Sequence, residues 1–367
     1  MKFIDMFAGM GTARMAFEQA GHECVYSIEW DKHKRKIYEV IFGHEPSAND
    51  INRVRGGELP RADIWTAGFP CQDISVAGKQ AGFRGHRSSL FFQVTRLIRE
   101  MPEEDRPSYL LFENVKNFFS VNRGYDFLTA LIELDEIGYD VEWQLLNTKY
   151  HRVPQNRERV FLVGHFRGRS TRKIFPISGQ SNKHSTVGKS TETAVARTLT
   201  CGAHSGGNHS GMTILQIKQI GNCMPRAGRD NPNEGRVYDT SGISPCLNKM
   251  EGGGRQPFVI VPEATKKGYA EAYEGDSINL AVPGSQTRRG REGKGVANTL
   301  DTSCNQGTLV KDGIRRLTPK ECMRLQGVPD YITDKLIAAG ISDTQLYRAA
   351  GDAWTVNVGY EIARRMG

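Results

Sequence analysis

The apolar positions of residues 1 to about 167 fall into short runs of strand length separated by stretches with helical spacing. Phe3 to Phe7, Cys24 to Ile28, Asp63 to Thr66, Tyr109 to Phe112, Val141 to Leu146 and Arg159 to Val163 read as strands. Between them, Thr12 to Ala20 reads as a helix stopped by Gly21, and Leu90, Phe91, Val94, Leu97 and Ile98 share one helical face. A further helix carries Leu128, Leu131 and Leu134 and ends at Gly138. Strands alternating with helices predict a mostly parallel sheet covered on both faces, an α/β fold.

From about 168 to 313 the helical spacing disappears, and residues 170–313 contain 21 of the 40 glycines. Long insertions of that texture are unusual in a compact domain unless they bind something. A weak threefold echo runs through Ala196-Arg197-Thr198-Leu199, Ser244-Pro245-Cys246-Leu247 and Ala297-Asn298-Thr299-Leu300, as three short strand-turn-strand units would produce. After Arg315 helical texture returns: Thr318-Pro319-Lys320-Glu321 reads as an N-cap with proline in the first turn, and Val356 to Arg365 as a last amphipathic helix. The simplest organisation is an α/β domain of residues 1–167 and 314–367, interrupted at 168–313 by a β-rich module.

Composition agrees with a soluble globular chain: 367 residues, 38% of them hydrophobic, with a mean hydropathy of −0.49. The start Met1-Lys2-Phe3-Ile4-Asp5 does not read as a signal peptide, and no apolar run has membrane-spanning length. Seven scattered cysteines, never in C-x-x-C spacing, argue against a disulfide framework or a structural zinc site and for a reducing cytoplasm; no metal is expected. The net charge of +8 is unevenly placed. Residues 170–313 hold 18 Lys and Arg against 12 Asp and Glu, and the rest of the chain 31 against 29. A partner bearing phosphates would explain a basic insertion.

The turn Phe7-Ala8-Gly9-Met10-Gly11-Thr12 joins the first strand to the first helix, where glycines admit a ligand to the backbone and the helix offers free N–H groups. Glu29 follows Gly9 by 20 residues, at the end of the next strand, where a carboxylate can accept both ribose hydroxyls. Arg14 occupies the third position of the dinucleotide G-x-G-x-x-G pattern, which favours a nucleoside without pyrophosphate. Asp50-Ile51 and Asp63 fall at further strand ends, within expected reach of an adenine edge and a cationic cofactor.

Three more strand ends carry chemistry. Gly68-Phe69-Pro70-Cys71-Gln72 sets a cysteine just past a strand, followed by a polar glycine-rich loop with Ser75, Lys79, Arg84 and Arg87, a setting that suits a thiolate and phosphates better than a core. Tyr109 to Asn114 ends in Glu113, and in an open parallel sheet active groups collect beyond the carboxyl ends of strands, so Glu113 and Cys71 should share a crevice. Arg157 and Arg159, two apart, are expected to point the same way.

In order and spacing, Asp5-Met6-Phe7-Ala8-Gly9, Gly68-Phe69-Pro70-Cys71-Gln72, Glu113-Asn114-Val115, Gln155-Asn156-Arg157-Glu158-Arg159 and Arg316-Leu317-Thr318-Pro319-Lys320-Glu321 resemble the motifs of the DNA (cytosine-5) methyltransferases, particularly the small bacterial restriction-modification enzymes. The resemblance implies a Rossmann-like S-adenosylmethionine-dependent methyltransferase sheet with an inserted target-recognition domain, of which Gly235 to Ser244 resembles the recognition region. It also implies that double-stranded DNA is the substrate. Cys71 would add to cytosine C6, with Glu113 at N3, Arg159 at O2 and Arg157 assisting, while Asn114 would hold the loop geometry. The chemistry suits these residue types: C5 is a poor nucleophile until a soft thiolate adds at C6, and the charge then developing on N3 and O2 calls for an acid and a guanidinium.

The implied cofactor is S-adenosyl-L-methionine, with Phe7, Gly9, Gly11, Glu29, Trp30, Asp50, Ile51 and Leu90 at family cofactor positions. Ser75 resembles a residue on the DNA backbone, and Lys79, Arg84 and Arg87 would close with their loop over a flipped base. A cytoplasmic, nucleoid-associated monomer is expected. One departure stands out: where the family has Gly-Asn-Ser-Val, this chain has Gly351-Asp352-Ala353-Trp354, leaving Asp352 to accept from the cofactor's amino group. Competing readings are an RNA cytosine-5 methyltransferase, disfavoured by the large insertion; a non-catalytic relative, disfavoured by Cys71, Glu113 and Arg159; and a nicotinamide oxidoreductase, disfavoured by Arg14.

Overall fold

In the computed structural model, residues 1–69, 89–177, 214–215, 218–222, 236–239, 258–265, 268–281, 290–310 and 313–367 are described. The chain divides into two compact units. One comprises Met1–Val153, Glu158–His184 and Gln326–Gly367; the other comprises Pro154–Arg157 and Ser185–Leu325.

The first unit is built on six strands: β1 (Lys2–Met6), β2 (Glu23–Ile28), β3 (Ile64–Gly68), β4 (Tyr109–Val115), β5 (Tyr139–Asn147) and, after the short β6 (Gln155–Asn156) of the other unit, β7 (Glu158–Phe166). Their order is β2-β1-β3-β4-β7-β5. Strands β2, β1, β3 and β4 are parallel neighbours. Strand β7 runs against both β4 and β5. All six expected strands are present, and the reversed one has a consequence for function: its first residues lie at the same rim as the last residues of β1, β3 and β4. The helices are α1 (Thr12–Gln19), α2 (Lys32–Phe42), α3 (Ser89–Arg99) and α4 (Tyr125–Glu136), with α6 (Asp330–Ala338), α7 (Asp343–Asp352) and α8 (Val356–Met366) after the short α5 (Pro319–Leu325) of the other unit.

Sequence patterning finds α1, α3, α4 and α8 but passes over α2, α6 and α7. Helix α2 begins in the polar run Lys32-His33-Lys34-Arg35-Lys36, which hides its apolar face. Its ends are nonetheless well marked: the Asp31 side chain accepts from the His33 and Lys34 N–H groups, and Gly43 closes it with φ 82°. A continuous core of Ile4, Met6, Trp65, Phe91, Leu97, Leu110, Phe112, Leu134 and Leu162 is sandwiched between sheet and helices. Phe7, Leu90 and Ile51 pack into the same core, so the turns at the carboxyl rim rest on well-packed side chains.

In the second unit the described residues form short strands: β8 (Ile214–Leu215), β9 (Lys218–Asn222), β10 (Arg236–Asp239), β11 (Phe258–Pro262), β12 (Tyr269–Ala272), β13 (Ser277–Asn279), β14 (Glu292–Gly293), β15 (Ala297–Asn298), β16 (Gln306–Val310) and β17 (Gly313–Arg316). They make sheets ordered β12-β11-β10-β9 and β14-β13-β16-β17-β8, while β15 pairs with β6. Val261, Ala272, Ile278, Leu309 and Ile314 form their small core. Of the threefold echo only Ala297 to Leu300 is described; its strand β15 pairs in parallel with Gln155-Asn156. The other two copies lie outside the described residues. Thr318 caps α5 reciprocally: Glu321 N–H donates to Thr318 Oγ1, and the Glu321 carboxylate accepts from Thr318 N–H. Cys304 and Cys322, 3.0 Å apart at sulfur, form a buried thiol pair that sequence spacing does not reveal. Among the described residues, no helix is long and apolar enough to cross a membrane.

Candidate active site

The turn after β1 is held in an unusual conformation. Phe7 and Gly9 both adopt left-handed backbone, with φ 59° each. For Phe7 this costs about 1–2 kcal/mol. The turn is fixed by Ala8 N–H donating to Ile28 C=O at 2.9 Å and Gly11 N–H donating to Ala8 C=O at 2.7 Å. Strain kept in a turn at a strand's carboxyl end is a mark of a ligand site. A Cβ on Gly9 would meet nothing within 4 Å, so its face is open; one on Gly11 would run into the Phe42 ring of α2. Gly11 is therefore constrained by helix packing.

Glu29, at the end of β2, is buried and locks this turn to the next. One carboxylate oxygen accepts from Gly9 N–H at 2.7 Å and the other from Asp31 N–H at 2.8 Å. Burial raises its pKa, against the opposing pull of Lys34 and the two N–H groups. Asp5 is more deeply enclosed: it accepts from Thr66 Oγ1 at 2.9 Å through one oxygen, and the other has no partner. Burial pushes its pKa up to about 7.

One cleft gathers Phe7, Gly9, Glu113 and Asp352 of the expected residues, and adds Asp5, Lys34, Gly68 and Trp354. Across the antiparallel β4–β7 pair, Glu113 registers with Phe161 and Val115 with Arg159. Arg159 Nε accordingly reaches Glu113 Oε1 at 3.0 Å, with both side chains largely buried. Gly68, the last residue of β3, registers with Glu113. Asn114 is buried, its Oδ1 accepting from Val115 N–H at 2.8 Å and its Nδ2 without a partner.

A profile of C-5 cytosine-specific DNA methylases matches residues 1–367. The chain belongs to this family. It is 42% identical to the Type II methyltransferase M.HhaI of Haemophilus parahaemolyticus, over all of this chain and 94% of that one. It is 28% identical to the Type II methyltransferase M.DsaV of Dactylococcopsis salina, over all of this chain and 86% of that one. Among solved structures, the S. pombe Dnmt2 methyltransferase has the same fold, with TM-score 0.56 at 15% identity over 99% of this chain and 98% of that one. A DNA modification methyltransferase from an E. coli prophage gives 0.57 at 17% over 99% and 97%. This chain is a DNA (cytosine-5) methyltransferase, and its substrate is DNA.

The other expected residues of this methylase that are described do not line this cleft. Trp30 follows Glu29 with its indole 81% exposed, the most exposed large hydrophobic side chain among the described residues. Asp50 caps a helical turn, accepting from Asn52 N–H at 3.0 Å; Ile51 and Leu90 pack below. Arg157 is buried in the second unit, where Nη1 donates to Leu300 C=O at 3.3 Å. It falls between two strands, so the two-residue alternation does not reach it. Asp63 is a correction to its expected place near the cofactor. It precedes β3 and accepts from Lys2 N–H at 2.9 Å, which puts it at the amino rim, the wrong end of the sheet. Cys71, Ser75, Lys79, Arg84 and Arg87 lie outside the described residues.

Asp352 pairs with Lys34 at 2.7 Å. Trp354 lies against β3, with Nε1 filling the space a Gly68 Cβ would take, and packs edge-on to Phe161 at 5.9 Å between centroids. Lys34 and Gly68 carry no sequence signal of these roles, because each depends on a residue more than 200 positions away.

Proposed function

We propose that this methylase flips a cytosine out of a specific duplex sequence, adds Cys71 to C6 and methylates C5, with S-adenosyl-L-methionine as donor. The Glu113–Arg159 pair, 3.0 Å apart at the carboxyl rim, carries the reading. Addition of a thiolate at C6 makes C5 enamine-like and drives charge onto N3 and O2. A carboxyl at N3 and a guanidinium at O2 offset that charge where it develops. Cys71 follows Phe69, the buried residue after β3, by two positions in the chain. After C5 is methylated, loss of its proton expels the thiolate and restores the ring.

The cleft's chemistry fits the cofactor. S-adenosyl-L-methionine supplies an electrophilic methyl group on a sulfonium cation. Asp5 with its free buried oxygen and Asp352 line the cleft, Glu29 stands behind its Gly9, and together they give an acidic surround for that cation, while the open face of Gly9 admits a ligand to the backbone. Phe7, Gly9, Glu29, Trp30, Asp50, Ile51, Leu90 and Asp352 would hold it, with Glu29 on the ribose, Trp30 beside the adenine and Gly11 shaping the turn. A pyrophosphate would find a single cation, Lys34, among the described cleft residues.

Ser75, Lys79, Arg84 and Arg87 would contact DNA around the extruded base, an extrusion that costs a few kcal/mol. The basic segment 168–313 would read sequence in the major groove. Likeness to Type II methyltransferases supports a role as the modification member of a restriction-modification pair, working as a cytoplasmic monomer on the nucleoid. Duplex DNA containing 5-fluorocytosine, incubated with S-adenosyl-L-methionine, should yield a denaturation-resistant adduct that Cys71→Ser abolishes. Absence of both adduct and methyl transfer across a random DNA pool would overturn the reading, and methylome sequencing of expressing cells would give the recognition site.

A further inference from the structure

Lys34 stands in the first turn of α2 and Asp352 is the last residue of α7. Each charge is at the unfavourable end of its helix: a cation near an N-terminus and an anion at a C-terminus oppose the backbone dipole. Stabilising the helices is therefore not what these side chains do best. Docking α2 to α7 does not depend on them either, because two further links join the same helices. Arg348 pairs with Asp31 at 3.0 Å, and Gln345 Nε2 bonds His33 Nδ1 at 2.7 Å. Of the three links, the Lys34–Asp352 bridge is the one whose residues line the cofactor cleft.

Of the other acids lining that cleft, Glu113 holds Arg159, and Asp5 is buried with one oxygen on Thr66. Glu29, whose carboxylate holds the lining residue Gly9, has both oxygens on backbone N–H groups. Asp352 is the most accessible carboxylate, with its side chain 37% exposed. Lys34 is the one Lys or Arg among the described residues of the cleft, hence the one cationic side chain there for a ligand carboxylate. A lysine and an aspartate side by side on a cleft wall complement an α-amino acid, whose ammonium and carboxylate are separated by a single carbon.

With Asp352 on the ammonium of the cofactor's methionine end, as the family resemblance implies, we propose that Lys34 takes its carboxylate, so that the pair clamps an α-amino acid. The proposal rests on the cofactor reading above and adds Lys34 as a specificity-determining residue. On binding, the ion pair opens into a four-charge array, with each protein charge keeping its neighbour while gaining a ligand partner of opposite sign. Charge-assisted hydrogen bonds of this kind are the strong ones.

The test is calorimetric titration of the full chain with S-adenosylmethionine, S-adenosylhomocysteine and 5′-methylthioadenosine, the last lacking the amino-acid end. Lys34→Met should weaken the first two on the order of tenfold and leave the third within about twofold. Lys34→Arg should restore most of the loss, and the melting temperature of ligand-free Lys34→Met should stay close to that of the parent. Equal weakening of all three ligands, or a large drop in melting temperature, would make Lys34 structural and overturn the clamp. Unchanged binding of the first two would overturn it as well. If the parent protein binds none of the three, the cofactor reading fails and the clamp with it, an outcome distinct from a parent that binds and a variant that does not differ.

Discussion

Arg159 Nε lies 3.0 Å from Glu113 Oε1, across two strands that run in opposite directions. Had β7 been parallel to β4, its first residues would lie at the far rim and the pair could not form. Glu113→Gln keeps the shape and removes the acid, so methyl incorporation into DNA should fall on the order of 10²–10³-fold with little change in melting temperature. Arg159→Ala should lose comparable activity and also about 1–3 kcal/mol of stability, because it removes a charged partner from a largely buried carboxylate. Full activity in either variant would remove the pair from the chemistry.

Asp5 gives a pH signature. Its folded pKa, about 7, is above the ordinary 3.8, so folding favours the protonated acid. The resulting stability is complete below pH 4 and is lost as pH rises through about 7, amounting to up to ~4 kcal/mol by pH 8. Denaturant unfolding from pH 4 to 8 should show that slope for the parent and a flatter one for Asp5→Asn. Parallel curves would refute the assignment.

A cation bound beside Asp5 should favour its carboxylate and release a proton. Titrating S-adenosylmethionine near pH 6.5 in buffers of different ionisation enthalpy should give heats that depend on the buffer, and Asp5→Asn should lose that dependence. Buffer-independent heats in the parent would count against Asp5 facing the cation.

Gly68 and Trp354 occupy adjoining volumes. Gly68→Ala would drive a methyl into the indole nitrogen of a well-buried ring, and should cost about 1–3 kcal/mol. Trp354→Ala should cost about 3–5 kcal/mol, and the two losses should be less than additive when combined, because the smaller side chain makes room for the methyl. A thermal double-mutant cycle measures this directly.

Three cysteines should resist alkylation in the native protein. Burial pushes the Cys24 thiol up to about 12. The contact between the two sulfurs lowers the Cys304 pKa and raises that of Cys322, and both are at most 1% exposed. Brief iodoacetamide treatment followed by peptide mapping should leave Cys24, Cys304 and Cys322 unmodified until denaturant is added. Rapid native labelling of Cys304 would contradict the packing.

Much of the first unit is legible in its sequence because strand and helix periods are local. The apolar runs give all six strands, and Gly9, Glu29 and Glu113 stand at strand ends where an α/β sheet collects ligands. What the pattern misses is nonlocal or masked by charge. Helix α2 is hidden behind Lys32 to Lys36, and the reversal of β7, which sends Arg159 to the carboxyl rim, is not written in a hydrophobic pattern. The Lys34–Asp352 and Gly68–Trp354 partnerships, like the Cys304–Cys322 contact, arise only once distant segments meet.

The reversal of β7 also bears on the order in which the site is assembled. Strands β5 and β7 pair along nine residues each, Tyr139 with Phe166 through Asn147 with Glu158, and only a short stretch of chain separates their facing ends. Pairing of β1 with β3 must instead close a loop that includes β2 and α2. Loop-closure entropy favours the nearer partners, so the β5–β7 hairpin should gain amide protection first in pulsed hydrogen exchange. The guanidinium at the start of β7 would thus be anchored while the glycine turn after β1 is still unformed, and the binding cleft would be the last part of the rim to mature.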